Sequence, residues 1–347
     1  MQYLRTHLPN LYRKVRVETP ARLHMGFMDL NGELGRRFGS LGLTVDGLPT
    51  RVVAEKAHAL SAHGPGAERT ITYASRLVER LGITDAVHIH VDACVPEHIG
   101  LGSGTQLALA VGTAIDRLYD LKLGTRRIVR MFERGARSGI GIGAFTEGGF
   151  LVDGGRADEN ELPPITVRLE FPAQWRVLLI FDQRGQGLHG EHEVEAFRAL
   201  PSFPPGLAAK CCRLVMMRVL PALAEAHLDR FGQGIGELQR MVGDYFAPVQ
   251  GGRFTSPAVT EVLDWLKSRG ITGIGQSSWG PTGFGVIGSE SRANSLQREA
   301  ERIFGKRLPV GFLVVRPCNH GSTVELVDEP GVFAREAATS PCSLRKL

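Results

Sequence analysis

The sequence lacks the features that mark membrane proteins and disulfide-bonded secreted proteins. Among its 347 residues no run approaches the roughly 18 consecutive apolar residues that a membrane-spanning helix needs. Its five cysteines form an odd number without a C-x-x-C pair, which argues against a disulfide framework and against a zinc site. Residues 1–16 carry Arg, Lys, His and Pro where a signal peptide would have a continuous apolar region. We therefore expect a cytoplasmic protein with no membrane partner.

Aromatic residues are scarce, at 7%, and neither sign of charge dominates. The chain has 41 Lys and Arg against 36 Asp and Glu, a net charge of +5, and this mild excess favours anionic partners. Nucleic-acid binding usually shows as a concentrated basic stripe, whereas the basic residues here are spread along the chain in pairs such as Arg36-Arg37. We expect small anionic ligands and no nucleic acid.

Glycine is abundant instead, at 43 residues, and it is clustered at 100–104, 135–155 and 270–288. A chain of this length is typical of two domains, each large enough to bury a core. The boundary is expected near Pro172, after the Leu162-Pro163-Pro164 stretch, which divides the chain into residues 1–172 and 173–347.

Apolar patterns predict a mixture of strands and helices. The strict alternation of Val87-His88-Ile89-His90-Val91 is typical of a strand. Strands are predicted at 15–17, 41–45, 51–55, 87–91, 150–152, 176–181, 284–287 and 312–315, and helices at 68–81, 105–121, 125–134, 208–231, 235–245, 257–269 and 291–304. Because strands and helices do not alternate strictly, the fold class is α+β.

The first glycine cluster links a predicted strand to an amphipathic helix. Glycines at 100, 102 and 104 let the backbone approach a ligand closely, and the unpaired N–H groups at the start of the helix then point at an anion. The run of small residues favours such a phosphate cradle over a plain strand-to-helix turn. The helix dipole contributes only about 0.3 to 2 kcal/mol, so a highly charged ligand would also need Mg²⁺ or basic side chains.

Three motifs carry a resemblance to a known superfamily. The segment Pro96-x-x-x-Gly100-Leu101-Gly102-Ser103 resembles the phosphate loop of the GHMP kinases, which include galactokinase, homoserine kinase and mevalonate kinase. Residues 19–26 resemble their N-terminal motif, and residues 273–281 resemble their C-terminal glycine loop. The order and spacing fit over almost the whole chain.

Two departures from the kinase pattern concern the chemistry. Gly104 stands where the kinases have a second serine that helps to place Mg-ATP, and Gly141 of Ser138-Gly139-Ile140-Gly141 stands where many of them carry the aspartate that acts on the acceptor hydroxyl. Losing a general base typically costs about 10² to 10⁴ in rate. The sequence therefore predicts that the GHMP-kinase fold is retained, that kinase activity is lost and that ATP is not needed.

One branch of the superfamily has this combination. Residues 21–27, 137–145 and 276–281 resemble the β-ribofuranosylaminobenzene 5'-phosphate synthase family. The resemblance implies coupling of phosphoribosyl diphosphate to 4-aminobenzoate or 4-hydroxybenzoate, with release of CO₂ and diphosphate, in tetrahydromethanopterin biosynthesis. It also implies an N-terminal unit like ribosomal protein S5 domain 2, a ferredoxin-like C-terminal unit, a site between them and a homodimer. No phosphate is transferred to a hydroxyl, which is consistent with glycine at position 141.

The motifs supply the candidate site residues. The candidate catalytic residues are Arg22, His24 and Ser103, and His24 could donate to a phosphate or a carboxylate or be structural. The expected substrate-binding residues are Gly100, Leu101, Gly102, Gly104, Thr105, Gln106, Arg137, Ser138, Gly139, Gly141, Gln276, Ser277, Ser278, Trp279 and Gly280. The diphosphate is expected on residues 100–106 with Mg²⁺, and the second anionic group near Ser138 and residues 276–280 with Arg22, Arg134 or Arg137. Trp279 could stack on the benzoate ring or fill core.

Asp182 and Glu191 are the candidate magnesium ligands. Asp182 leaves the predicted strand 176–181 toward a glycine-rich segment, and carboxylates are ligands of the type that Mg²⁺ prefers. For Glu191 the alternative is an acidic first turn of the helix that follows.

Two further functions are open at this stage. A GHMP-type kinase would need ATP and a base that replaces Gly141. An anion or RNA binder without catalytic activity would be consistent with the net charge, but three glycine loops are more than it needs.

Overall fold

The structure is a computed structural model that describes residues 14–158, 160–184 and 190–327, for 190–194 the backbone alone. Its strands are β1 Lys14–Asp29, β2 Phe38–Ala57, β3 Ser61–His63, β4 Ala86–Ala93, β5 Phe150–Asp153, β6 Ile165–Leu169, β7 Arg176–Asp182, β8 Ile274–Gln276, β9 Gly283–Ile287, β10 Val310–Val315 and β11 Thr323–Val327. Its helices are α1 Ala67–Leu81, α2 Ser103–Leu118, α3 Gly124–Met131, α4 Ile140–Thr146, α5 Gly190–Ala199, α6 Pro205–Leu214, α7 Leu220–Ala224, α8 Leu228–Gln250, α9 Pro257–Ser268 and α10 Glu290–Phe304. The predicted α+β class is confirmed.

The first sheet has the strand order β11-β1-β2-β4-β3, with β5 paired to β2 and β6 paired to β5. Strand β2 has two partners along one of its edges: its first half pairs with β5 and its second half pairs with β4. Its other edge pairs with β1. The prediction of two short strands at 41–45 and 51–55 was therefore wrong. The Asp46-Gly47 step is an irregularity within β2 and does not end it: Gly47 has a positive φ of 87°, and the Asp46 N–H donates to the Arg316 carbonyl.

Helix α2 is the central helix of the first unit. It packs against β1 and β2 on one side and against α1 and α3 on the others. Every residue from Gln106 to Asp116 is buried, so the expected amphipathic character is wrong. Burial on all sides fixes the axis of α2, and its N-terminus is therefore held at a defined place.

The second sheet has the antiparallel order β10-β7-β9-β8. Helices α9 and α10 cover one of its faces, and their apolar side chains share a core with Leu178 and Ile180. The predicted helix 208–231 is wrong as one element. It consists of α6, the π-helical segment Val215–Val219 and α7, and it ends where Ala226 takes a positive φ of 51° before His227 caps α8.

The chain passes from the first sheet to the second after β6. It later returns, since β11 pairs with β1 and so extends the first sheet with a strand from the C-terminal half. The boundary at residue 172 stays a prediction. Within the described ranges no helix is both long and apolar enough to cross a membrane.

Candidate active site

A pocket of ≈ 520 Å³ opens where both units meet at the N-terminus of α2. Five parts of the chain contribute to its wall: β1, α1, the segment that leads into α2, the segment after α3 and the loop after β8. Its lining includes Arg22, His24, Gly100, Gly102, Ser103, Gly104, Thr105, Arg137, Ser138, Ser278, Trp279 and Gly280 among the predicted site residues. The structure thus brings together twelve residues from four segments far apart in sequence.

The glycine loop, residues 99–105, leads directly into α2. Gly100 and Gly102 have φ of +82° and +84°, a region that favours glycine, and Gly102 is the N-cap residue of the helix. The N–H groups of Thr105 and Gln106 donate to the Gly102 carbonyl. In the described chain the N–H groups of Ser103 and Gly104 have no acceptor, and both residues line the pocket. This end of the helix is therefore suited to an anion.

Arginines dominate the charge of the pocket. Its lining contains Arg22, Arg69, Arg134 and Arg137 but only two carboxylates, Glu97 and Glu133, of which Glu97 pairs with Arg69 at 2.6 Å. Four cations against two anions make the pocket electropositive and favour a ligand with more than one negative charge.

Arg134 lies beside the glycine loop. Arg134 Nη1 is 3.5 Å from the position that a Cβ on Gly104 would take. Nη2 of the same guanidinium donates to the Tyr73 hydroxyl, and the guanidinium lies over the Tyr73 ring. The Nε of Arg134 is buried and has no partner in the described part of the chain. A buried donor without a partner is costly, and an anion at the start of α2 would be a suitable acceptor.

Ser277 joins the N-terminal and C-terminal motifs beneath the pocket. Its hydroxyl donates to the Gly100 carbonyl at 2.7 Å and accepts from the His24 N–H at 3.0 Å. The Ser278 N–H donates to the His24 carbonyl at 3.1 Å. These bonds fix the position of the glycine loop relative to β1 and to the loop after β8.

Several predicted site residues do not line the pocket. Leu101 and Gln106 are buried, and Gln106 donates to the Gly141 carbonyl at 2.7 Å. Gln276 accepts from the Thr255 N–H and, like Ser277, is used within the protein. Gly139 and Gly141 lie behind the wall and not in it. Any contribution of these residues to binding would be made through the loops that they support.

Position 141 has little room for a side chain. A Cβ there would lie 3.1 Å from Thr105 Cγ2, closer than side chains normally approach. The nearby Asp153 is buried and accepts from the Gly139 N–H and from the Ser138 hydroxyl, so it holds the segment that carries Arg137. Burial raises the pKa of Asp153, and its hydrogen bonds oppose that shift.

The magnesium candidates lie elsewhere. Asp182 ends β7 outside the pocket lining, and its oxygens accept from the Ser256 hydroxyl at 2.6 Å and from the Arg184 N–H at 2.9 Å. The side chain of Glu191 lies outside the described residues. Among the residues that are described, no group of three or more His, Cys, Asp or Glu is arranged to hold a metal ion.

His24 is nearly fully buried at the inner end of the pocket, with 3% of its surface exposed. Burial lowers its pKa to about 3, Arg22 adds to the shift, and a hydrogen bond to its own backbone opposes it. The ring is therefore neutral at physiological pH. Its Nε2 is buried and has no partner in the described ranges.

Trp279 is mostly core. Its ring packs against Phe246 at 4.5 Å and against Phe197 at 5.3 Å between centroids, and it is 5% exposed. One edge still borders the pocket. This arrangement limits any contact with a ligand to that edge.

The sequence reasoning did not identify Arg69, Tyr73, Glu97 and Glu133 as pocket residues, nor Asp153 as a support. Arg69 and Tyr73 lie four residues apart on α1, so they share a helix face, but nothing in their spacing points to the glycine loop. Asp153 ends a buried strand, which is a recognisable signal for a positioned carboxylate.

Comparison with known proteins agrees with this arrangement. Residues 69–149 match the GHMP kinases N terminal domain, and residues 219–306 match the GHMP kinases C terminal domain. A homoserine kinase structure from Cytophaga hutchinsonii superposes with a TM-score of 0.65 at 18% identity, covering 94% of this chain and 100% of that one. This likeness confirms the expected fold.

Two archaeal relatives match over nearly their whole length. Each is named beta-ribofuranosylphenol 5'-phosphate synthase. The relative from Archaeoglobus fulgidus is 32% identical over 90% of this chain and 100% of its own, and the relative from Methanocaldococcus jannaschii is 30% identical over 88% and 98%.

Proposed function

We propose a reaction for this chain from the premise that it belongs to the beta-ribofuranosylphenol 5'-phosphate synthase family. As a member it is an enzyme of the glycosyltransferase type. Its reaction is the condensation of phosphoribosyl diphosphate with 4-hydroxybenzoate or 4-aminobenzoate, which gives a β-ribofuranosyl C-glycoside 5'-phosphate, CO₂ and diphosphate. The product would serve tetrahydromethanopterin biosynthesis in the cytoplasm.

The observation that carries the proposal is an electropositive pocket at a helix N-terminus with no base at position 141. Its four arginines suit a substrate with a phosphate and a diphosphate. A Cβ at position 141 would lie 3.1 Å from Thr105 Cγ2, so a side chain there would crowd Thr105. Binding a polyanion without deprotonating an aliphatic hydroxyl is what this condensation requires.

The diphosphate fits the glycine loop. The N–H groups of Ser103 and Gly104 and the half-buried Arg134 guanidinium converge there, and they would stabilise the negative charge that develops as diphosphate leaves the ribose C1. Donors that are already oriented need no reorganisation during the reaction. Arg22 also donates to the Gly100 carbonyl at 2.5 Å, which stiffens the loop.

The ribose 5'-phosphate is assigned to another part of the pocket wall. Arg137 and Ser138 lie there, and Asp153 holds their segment in place. Gly280 belongs to the facing loop, where its N–H donates to the Ser277 carbonyl. Two separate anion sites would orient the ribose C1 toward the middle of the pocket.

Magnesium fits this pocket only together with its substrate. Mg²⁺ is usually held by one or two carboxylates, several waters and substrate phosphates. Glu97 and Glu133, which pair with Arg69 and Arg80, and the Ser103 hydroxyl are oxygen donors in the pocket lining, whereas Asp182 lies outside it. Bound magnesium would neutralise part of the diphosphate charge. We propose that it arrives with phosphoribosyl diphosphate, and that ATP is not needed.

The acceptor is a 4-substituted benzoate. The names of the relatives denote a ribofuranosylphenol product, and 4-hydroxybenzoate would give such a product directly. The homodimer expected from the family resemblance remains part of the proposal.

The decisive experiment is an assay without ATP. The purified chain is incubated with Mg²⁺, phosphoribosyl diphosphate and carboxyl-labelled 4-hydroxybenzoate or 4-aminobenzoate, and released CO₂ and diphosphate are counted. We expect equal amounts of both products. Arg134→Gln should raise the KM for phosphoribosyl diphosphate, whereas Arg292→Gln, on the exposed start of α10, should not.

The competing kinase function predicts the opposite pattern. A folded protein that releases no CO₂ with either acceptor, and that is stabilised against heat by Mg-ATP, would overturn the transferase proposal.

A further inference from the structure

Tyr73 joins three parts of the pocket wall that lie far apart in the sequence. Its side chain projects from α1, and its hydroxyl donates to the Gly104 carbonyl in the first turn of α2 at 3.4 Å. The same hydroxyl accepts a hydrogen bond from Nη2 of Arg134, which follows α3. A hydroxyl has one proton and two lone pairs, so both bonds can form at once. The phenol therefore links Arg134 to the glycine loop.

The ring of Tyr73 is fixed by packing. The residue is 6% exposed, and its ring contacts that of Phe132 with 5.2 Å between centroids and an angle of 61° between the ring planes. A tyrosine side chain turns about only two bonds, so little freedom is lost when its ring is packed. The hydroxyl at the end of this ring is therefore held at a defined place in the wall.

The guanidinium of Arg134 lies flat over the glycine loop. A Cβ built on Gly104 would be 3.5 Å from Nη1, 3.7 Å from Cζ and 3.7 Å from Nη2, so the three atoms are nearly equidistant from it. Nη2 is engaged by Tyr73, whereas Nη1 has no acceptor among the described residues. An anion bound at the start of α2 would be within reach of Nη1.

The charge of Arg134 is also available to a ligand. In the part of the chain that the structure describes, both carboxylates of the pocket lining pair with other residues, Glu97 with Arg69 at 2.6 Å and Glu133 with Arg80 at 3.7 Å. A long charged side chain loses much rotamer freedom when it is held in one place. The hydrogen bond to the phenol restricts Arg134 in the free protein, so the guanidinium is already oriented when an anion binds.

We propose that Tyr73 is a positioning residue for the reaction, because it holds Arg134 against the glycine loop, where the guanidinium stabilises the departing diphosphate. The assignment rests on the proposed function and deepens its account of the diphosphate site. As the bond from ribose C1 to the diphosphate oxygen breaks, its electron pair goes to that oxygen, so the negative charge near α2 increases. An oriented guanidinium stabilises this added charge better than a mobile one does.

The first test removes the hydroxyl and keeps the ring. Tyr73→Phe retains the charge of Arg134, so the KM for phosphoribosyl diphosphate should rise less than about threefold while kcat for CO₂ release falls by about 10-fold. Tyr119→Phe is the matched control, since its hydroxyl also donates to a backbone carbonyl, that of Ala86 at 2.8 Å, outside the pocket lining. The control should leave both constants unchanged.

A double-mutant cycle separates positioning from general support of the fold. In the Arg134→Gln background, the additional substitution Tyr73→Phe should alter kcat less than about twofold, because no guanidinium is left to hold. An equal fall of kcat in both backgrounds would overturn the assignment, since it would show that Tyr73 acts on the fold and not through Arg134.

Titration with inorganic diphosphate in the presence of Mg²⁺ tests the contact without catalysis. Free diphosphate carries the full charge that develops during the reaction, so Tyr73→Phe should raise its Kd by about 10-fold, and much less in the Arg134→Gln background. A Kd that Tyr73→Phe leaves unchanged would refute the role of Tyr73. Wild type that binds diphosphate but releases no CO₂ with either acceptor would instead refute the transferase function on which the assignment rests.

Discussion

The methyl group of Thr105 lies against the bare Cα of Gly141, so any side chain at position 141 would crowd it. A Cβ at 141 would be 3.1 Å from Thr105 Cγ2 and 3.4 Å from Thr105 Cβ. Thr105 belongs to the first turn of α2, which is fixed by burial along its length. The absence of a carboxylate at position 141 therefore involves the packing of α2 against α4 as well as one substitution.

This packing predicts a non-additive pair of substitutions. Gly141→Ala should destabilise the protein by about 1 to 3 kcal/mol, since the new methyl group overpacks against Thr105. Thr105→Ser removes the nearest atom, so the double variant should recover at least about 0.5 kcal/mol of that loss. Urea unfolding of the four proteins measures the coupling. Strictly additive free energies of unfolding would show that the two residues do not compete for space.

Gly102 and Gly104 should respond differently to alanine. Gly102 has a positive φ, and a Cβ there would meet Arg22 Cγ at 3.0 Å, so Gly102→Ala should cost about 1 to 2 kcal/mol and weaken binding of phosphoribosyl diphosphate. Gly104 lies in the helix, with only ordinary contacts to Arg134, so Gly104→Ala should fold at least as well as wild type. Thermal unfolding and the KM for phosphoribosyl diphosphate check both. Equal effects would contradict the geometry of the loop.

Ser277→Ala should loosen the join between the two halves of the chain. The substitution leaves the Gly100 carbonyl and the His24 N–H without their buried partner, which should cost about 1 to 3 kcal/mol. Because the glycine loop then shifts, the KM for phosphoribosyl diphosphate should rise more than kcat falls. Ser291→Ala is the control, since Ser291 is an exposed serine of α10 outside the pocket lining. If the control alters KM as much, the join does not position the loop.

The buried His24 predicts a loss of stability in acid. Its pKa falls from 6.5 in the unfolded chain to about 3 in the folded protein, so between these values the unfolded chain binds the extra proton. The contribution of His24 to stability is fully present above pH 6.5 and is lost as the pH falls toward 3. The slope approaches about 1.4 kcal/mol per pH unit.

Denaturant unfolding at several pH values tests this linkage. His24→Gln has no group that titrates in this range, so its free energy of unfolding should vary less between pH 6 and pH 4, by about 1 kcal/mol or more. His58→Gln, at an exposed histidine after β2, is the control for replacing a histidine. Parallel curves for wild type and His24→Gln would contradict the low pKa of His24.

The sequence correctly predicted the strands and helix ends that depend on neighbouring residues. The alternation at Val87 to Val91 gave the correct strand, and Gly82 and Gly270 follow the ends of α1 and α9 closely. The break before His227 was missed because helical periodicity continues through it, and only the positive φ of Ala226 redirects the chain. The continuity of β2 was missed because β1 and β5 supply partners that no local pattern encodes.

The site was predictable where a motif carried it. The glycine loop, Arg22, His24 and Ser278 were identified from their segments, and the pocket brings them together. Tyr73 and Arg69 could not be identified, because their contacts with the loop depend on how α1 packs on α2. Gln276 and Ser277 lie in a motif, but their side chains form hydrogen bonds with the surrounding backbone. This structural role is visible in the hydrogen bonds and not in the sequence.

Strand β11 has a consequence for synthesis on the ribosome. It pairs with β1 in the register Lys14 to Val327, so one edge of the first sheet stays unpaired until residue 327 has left the exit tunnel. The N-terminal half can begin to collapse earlier, but β1, which ends at Asp29, has this edge uncovered until β11 at Thr323–Val327 has been made. An exposed edge strand invites pairing with other chains. Slow translation or truncation before residue 323 should therefore favour aggregation of nascent chains over folding.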